Sequence, residues 1–386
     1  MRQALLALLT ACAAIAQLPP STTLSGPDRQ GFDAEVARLE TLLESAPDQA
    51  AVTYQVARTM AFGQQWPEAI AWLKRAMAFQ SGIDPARDSA FLTLRSTSEF
   101  QQIVDTARTA TPAVSHSTAA FQIAEGDVVP ESMAVDPHAQ GFYFGSQTKG
   151  KIIRCSSHGA CSDFATGLGV VLGLKISGPF LWLVSNSTDR SELLKYDTAS
   201  GRRLASYAVQ GRGHTFNDLT IAPSADVFVT DTTAGAIWSL RPGDTQLTRL
   251  PVAVPFANGI ALSAHGNALY VSTFPDGITL VDLKTRTAAP IARPAGITLV
   301  SIDGLYATSR SLIAVQNGFM SPRVVRLRLD HTGRTIERMD VLECRNPLFD
   351  GVTTGAIARG HFFYMANIQD EKKAGFNPIV VLKIRL

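Results

Sequence analysis

The chain has 386 residues, 46% of them apolar and 18% charged, with 35 basic against 33 acidic side chains. That balance excludes wholesale disorder, and it leaves no electrostatic footprint for nucleic acid or an anionic membrane as partner. At roughly 150 residues per domain, the length suits two or three domain-equivalents, or one large repeat fold with an appendage.

The most strongly apolar stretch, MRQALLALLTACAAIAQ, opens the chain. It is shorter than the ~20 residues that span a bilayer, so no transmembrane segment is expected and it reads as a secretory signal. Ala14-Ile15-Ala16 is a cleavage site of the A-x-A type, which makes 1–16 the signal and Gln17 the mature start. Leu9-Thr10-Ala11-Cys12 is a rival site that resembles a bacterial lipobox and would leave the chain lipid-anchored at Cys12. In either case export is expected, to the periplasm or the medium. Pro19-Pro20 and the Ser/Thr-rich residues after them make 17–30 a linker.

Residues 31–112 carry helical periodicity. Phe32, Val36, Leu39, Leu42 and Leu43 recur at helical spacing. Two segments, about 50–63 and 67–80, are split by Gly63, and Pro67 sits just inside the second, where a missing N–H does no harm. Asp88 to Val104 predicts a further helix. Ala57, Ala69 and Ala76, with Trp66 and Leu73, resemble one tetratricopeptide repeat, and 88–104 resembles its closing helix. That resemblance implies a protein or peptide partner. The alternative is a helical cap packed on the next domain, because a stable solenoid usually needs about three repeats.

From residue 117 the texture is all-β: short strands rich in Val, Ile, Phe, Tyr and Leu alternate with turn residues. Cys155 and Cys161 flank Ser-Ser-His-Gly-Ala, a spacing that suits a turn between strands. They are either an oxidised pair or two free thiols. Six segments begin alike, at Glu131, Leu172, Asn217, Asn258, Asp303 and Thr354, in steps of 41, 45, 41, 45 and 51 residues. Each is followed by a second and a third strand, and the first five by a fourth. The sixth runs out of chain, and Ala119–Ala124 can supply its missing strand. The predicted fold class is mainly β: a six-bladed β-propeller over 117–386, preceded by the small α-helical region.

In a propeller the innermost strands line a central channel, so the six start residues form a ring. Four of them, Glu131, Asn217, Asn258 and Asp303, offer side-chain oxygen. Two carboxylates with two amides suit Ca²⁺ or another hard divalent cation. The absence of His and Cys from the ring argues against zinc and copper. The second strands end on the same face, which makes Asn186 and Asp231 candidates for substrate contact. The loop Gly211-Arg212-Gly213-His214-Thr215 leads into Asn217, so Arg212 could touch a substrate and His214 could act as a base.

PESMAVDP, NDLTIAP with DVFVTDT, FANGIALSAHGNALYVS and IDGLY resemble the senescence marker protein/gluconolactonase superfamily, whose propeller paraoxonases and strictosidine-synthase-like proteins share. The resemblance covers about 120–386. It implies one divalent metal held at Glu131, Asn217, Asn258 and Asp303, and hydrolysis of a small-molecule lactone or ester. Three positions depart from the pattern. Thr215 stands where gluconolactonases carry arginine, Leu172 where paraoxonases carry a histidine, and Thr354 where strictosidine synthases carry a glutamate. The expected activity is therefore a Ca²⁺-dependent hydrolase with Asp303 or His214 taking a proton from water. The competing expectation is a non-catalytic binding propeller, its metal structural and its helices recruiting a partner.

Overall fold

The computed structural model describes residues 27–43, 46, 48–126, 128–136, 141–273, 277–367 and 378–386. The signal, its two cleavage alternatives, Cys12 and most of the linker lie outside the described residues. No helix among those described is long and apolar enough to cross a membrane.

Among the described residues four α-helices come first: α1 (Pro27–Leu43), α2 (Gln49–Phe62), α3 (Trp66–Met77) and α4 (Ser98–Ala110). Helix α1 begins inside the stretch expected to be linker. The single helix expected over 88–104 is instead a 3₁₀ segment, Ser89–Leu94, followed by α4. Asp84 and Asp88 explain the break: each side chain accepts from the amide two residues on, at 3.1 and 3.0 Å, and so caps a tight turn. Asp88 is further held by Arg58 Nε at 2.7 Å and Tyr54 Oη at 2.9 Å, both buried.

The propeller follows. Strand β1 (Thr118–Ile123) precedes blade one, which is β2 (Pro130–Val135), β3 (Phe142–Ser146), β4 (Ile152–Cys155) and β5 (Cys161–Ala165). Blade two is β6 (Val170–Ser177), β7 (Phe180–Ser187), β8 (Arg190–Asp197) and β9 (Arg203–Gln210). Blade three is β10 (Phe216–Ile221), β11 (Val227–Asp231), β12 (Ala236–Leu240) and β13 (Thr248–Arg249). Blade four is β14 (Ala257–Leu262), β15 (Ala268–Thr273), β16 (Gly277–Asp282) and β17 (Thr287–Pro290). Blade five is β18 (Ile302–Ala307), β19 (Ser311–Gln316), β20 (Arg323–Leu329) and β21 (Ile336–Cys344). Blade six is β22 (Gly355–Ala358), β23 (His361–Met365) and β24 (Ile379–Arg385), completed by β1.

Each blade is a four-stranded antiparallel sheet, and the first strand of each touches the first strand of the next, with β22 against β2. Six inner strands thus close a ring. The seal is β1 on β24, antiparallel from Thr118↔Lys383 to Ile123↔Ile379, which supplies the outermost strand of blade six and joins the two ends of the propeller. Phe142 fastens this junction, its ring 4.6 Å from Phe121 and 5.4 Å from Phe363. The cysteines at the β4–β5 turn form a disulfide between Cys155 and Cys161.

The helices are fused to blade five rather than standing apart. Val300, Phe319 and Met320 of the propeller share one apolar core with Tyr54, Leu73, Phe91 and Phe100. Asp84 N donates to Phe319 O at 2.9 Å and Ser321 N to Gly82 O at 2.7 Å. The segments they hold, 298–301 and 317–321, flank Ile302 and Gln316, the pair at the ring end of β18 and β19. The helical region therefore sits on the face of the propeller where the ring of start residues opens.

Candidate metal centre and channel

The ring residues owe their position to a repeated backbone irregularity. The register between the first two strands of a blade jumps from Pro130 to Ser132, Val171 to Leu174, Phe216 to Leu219, Ala257 to Ile260 and Ile302 to Leu305. The unpaired residues in these bulges are Glu131, Leu172-Gly173, Asn217-Asp218, Asn258-Gly259 and Asp303-Gly304. A bulge breaks the alternation of a strand and re-aims a side chain. Here it does so in five blades at one level, and Thr354 comes just before β22 at the corresponding place. In blade four glycine is needed second in the bulge because the next blade passes close by: a Cβ on Gly259 would stand 2.5 Å from the Asp303 carbonyl oxygen.

Glu131 and Asp303 face the same channel. Burial first, then the charge of Asp303, push the Glu131 carboxyl well above the usual carboxylate range, against a hydrogen bond from Gln147 Nε2. Burial likewise pushes Asp303 up to about 6, opposed by hydrogen bonds from Asn317 and Asn258 and helped by the charge of Asp218. Asn317 Nδ2 lies 2.8 Å from Asp303 Oδ2 and 3.0 Å from Val352 O. Asn217 Nδ2 donates to Thr232 Oγ1 at 3.1 Å, which leaves its Oδ1 without a protein donor among the described residues. Thr354 Oγ1 donates to the Glu131 carbonyl at 2.6 Å and ties blade six to blade one.

Among the described residues no cationic side chain pairs with Glu131 or Asp303, and no group of three or more His, Cys, Asp or Glu gathers as a metal cluster. The donor set is two carboxylates with amide oxygens. That composition fits a hard divalent cation, which would relieve the mutual repulsion of the two acids, and does not fit zinc.

A third carboxylate was not anticipated. Asp218 follows Asn217 where blades two, four, five and six have glycine, and that exception was visible in the sequence. Its Oδ1 accepts from Leu219 N at 2.8 Å and lies 3.2 Å from Lys175 Nζ; its Oδ2 is 3.4 Å from Ile260 N. Lys175 Nζ also sits 5.0 Å from the centroid of the Tyr306 ring, and the Tyr306 hydroxyl accepts from Gly355 N at 2.7 Å. Gln147, Asp218, Lys175 and Tyr306 are thus channel residues that blade-start reasoning missed.

The expected substrate contacts need correction. Asn186 is buried and fully engaged: Nδ2 donates to Phe216 O at 2.8 Å, while Oδ1 accepts from Phe216 N at 2.8 Å and Ser191 Oγ at 2.8 Å. It stitches blade two to the inner strand of blade three, with nothing left for a substrate. Asp231 is wholly buried. Its Oδ1 accepts from Thr215 N at 2.9 Å and Ala234 N at 3.2 Å. Its Oδ2 accepts from Trp238 Nε1 at 3.0 Å and pairs with His214 Nδ1 at 2.6 Å. Asp231 therefore orients His214 instead of lining a rim. His214 stands on the loop into β10, partly exposed, its ring 5.8 Å from that of Trp238. Arg212 is exposed on the same loop.

In fold the chain is similar to a gluconolactonase from Xanthomonas campestris, with a TM-score of 0.52 at 14% identity over 72% of this chain and 95% of that one. It is similar to a calcium-binding regucalcin from Agrobacterium tumefaciens, with a TM-score of 0.52 at 16% identity over 69% and 93%. A third likeness is to the PQQ-bound aldose sugar dehydrogenase of Streptomyces coelicolor, with a TM-score of 0.51 at 15% identity over 71% and 99%. At these identities the likeness is one of fold. No protein-family model matches the sequence, and no curated protein matches it.

Proposed function

We propose that the protein is an exported hydrolase of lactones or related esters, working with Ca²⁺ or another hard divalent cation at Glu131, Asn217, Asn258 and Asp303. The observation that carries the proposal is the pair of half-buried acids from blades one and five, which face one channel and, among the described residues, meet side-chain amide donors and no cation. Two neighbours in fold are named for lactone chemistry and for calcium binding, in line with it. The Cys155–Cys161 disulfide accords with export to an oxidising compartment.

A cation in the ring would polarise the ester carbonyl and offset the negative charge that builds on its oxygen. His214 is the residue that takes a proton from the attacking water. Its Nδ1 pairs with Asp231, which selects the tautomer protonated there and leaves Nε2 bare as a base. Asp231, fixed by Thr215 N, Ala234 N and Trp238 Nε1, holds the imidazole in place. Asp303, fixed by Asn317 and Asn258, serves as a ligand and as the alternative base. Arg212, free on the same loop as His214, is the remaining candidate for substrate contact.

The test is the metal content of the purified protein, paired with a lactone and aryl-ester hydrolysis screen with and without chelator. About one calcium per chain with chelator-sensitive turnover is the expected result. Calcium without turnover on any ester would replace the hydrolase with a binding propeller braced by its metal. Thr215 and Leu172, which depart from the known lactonases, favour that second reading. The shared core of helices and blade five weighs against its partner-recruiting helices, since most of their apolar side chains are spent there and only Leu42, Phe79 and Leu92 stand out as large exposed ones among the described residues.

A further inference from the structure

Three residues after each ring position the inner strands present a second layer: Ala134, Lys175, Thr220, Ala261, Tyr306 and Ile357. All six line a cavity of about 500 Å³. A volume of this size suits a small organic ligand. Ile176, Ile221 and Leu262 give its walls aliphatic surface beside the polar groups of Lys175, Thr220 and Ser263, and it reaches solvent past Ala264, His265 and the exposed Ile357. It begins just past the ring, at Met133, Ile260, Leu305 and Gly355, and runs along the inner strands to Val135, Ser263 and Ala307.

Among the described residues, Lys175 is the only Lys or Arg in that lining. An ammonium has three donors. One is directed at Asp218 Oδ1, 3.2 Å away, and the Tyr306 ring faces the charge. No other protein acceptor meets Nζ among the described residues. Asp218 does not depend on Lys175 alone, because Leu219 N and Ile260 N also approach it. The ammonium thus stands in the channel wall with donors to spare, a quarter of its side chain exposed.

We propose that the lower channel is a second binding site, separate from the ring, for a small monocarboxylate with an apolar tail. The carboxylate meets Lys175, and the tail lies along the aliphatic walls toward Ile357. A dianion such as phosphate fits poorly, since one ammonium already shared with Asp218 cannot balance two charges among apolar neighbours.

The experiment is calorimetric titration of the full chain, in chelator, with acetate, hexanoate and octanoate, and with 1-octanol as the neutral control. One octanoate is expected per chain, with affinity rising about fourfold per added methylene. Lys175→Met should weaken octanoate at least tenfold and leave octanol unchanged. Ile357→Glu, which sets a negative charge at the exposed mouth, should weaken octanoate as well, and it decides the matter if Lys175→Met does not fold. Glu131→Gln should leave binding intact. Octanoate bound no more tightly than octanol, or not at all, would overturn the proposal. So would binding lost in Glu131→Gln, which would put the carboxylate in the ring as a hydrolysis product. Binding is read without metal or turnover, so failure of the hydrolase reading would leave this site standing.

Discussion

Asp48 joins the helices to the propeller with both of its oxygens, and its removal tests how firmly they are fused. Oδ1 accepts from Ala51 N at 3.0 Å, capping α2, and from Thr298 Oγ1 at 3.2 Å. Oδ2 accepts from Leu299 N at 3.2 Å and lies 3.6 Å from Arg293 Nη2, on a side chain only 4% exposed. Loss of a helix cap alone costs about 1 kcal/mol. Stranding a buried charge by deleting its partner costs about 3–5 kcal/mol. The second effect dominates, so Asp48→Ala should lower the unfolding free energy by about 3–5 kcal/mol. Denaturant titration can follow both parts of the molecule, since Trp66 and Trp72 report on the helices and Trp182 and Trp238 on the blades. Adding Arg293→Leu to Asp48→Ala should recover much of the loss, because the orphaned charge is gone. A loss near 1 kcal/mol in the single variant, or no recovery in the double, would refute the argument and reduce Asp48 to a helix cap.

Three further outcomes are expected. Asp231→Asn should cut ester turnover at least about 100-fold with little change in KM, because an amide facing Nδ1 favours the other His214 tautomer; unchanged kcat would remove His214 as the base. In chelator, Asp303 carries a carboxyl at about 6 against an ordinary 3.8, so the folded chain binds the extra proton. Its contribution to stability is then full below pH 3.8 and lost as pH climbs through 6. The stability of the wild type relative to Asp303→Asn should accordingly fall across that window, and a flat difference would contradict the burial assigned to Asp303. Reducing Cys155–Cys161, which closes a loop of sequence separation 6, should cost about 2 kcal/mol by denaturant titration; no change would mean that the β4–β5 hairpin already holds the ends together.

The propeller was legible because its repeat is written in residues that local physics constrains. Each blade needs an apolar inner strand and turns at fixed distances, and closure by β1 follows from a blade short of one strand. The ring positions were legible for the same reason, since Glu131, Asn217, Asn258 and Asp303 recur in phase with the blades. Asn186 and Asp231 misled because their partners are invisible locally: Asn186 bonds Phe216, and Asp231 bonds Trp238 and His214 across strands. A polar residue at the end of a buried strand reads alike whether it faces a ligand or a neighbouring blade. The helix expected over 88–104 failed on a similar point, since Asp88 favours a tight turn and a buried pair with Arg58 over helix continuation. Lys175 was passed over because a lone Lys in a strand ordinarily points to solvent.

The bulges connect these observations. A regular strand would alternate Glu131, Asn217, Asn258 and Asp303 with their neighbours between two faces, and a one-residue slip would turn them out of the channel. The unpaired bulge residues loosen that constraint at one level in five blades, so chemistry can vary there while the strands beyond stay in register. Blade three uses this freedom differently, placing Asp218 where the others keep glycine or serine. That one carboxylate raises Asp303 on one side and draws Lys175 into the channel on the other. The exchange of a glycine for an aspartate thus divides the channel into an acidic upper ring and a lower chamber with a cationic wall. The two would be expected to differ in ligand even if they had the same shape, because carboxylates line the upper one while an ammonium paired with Asp218 lines the lower.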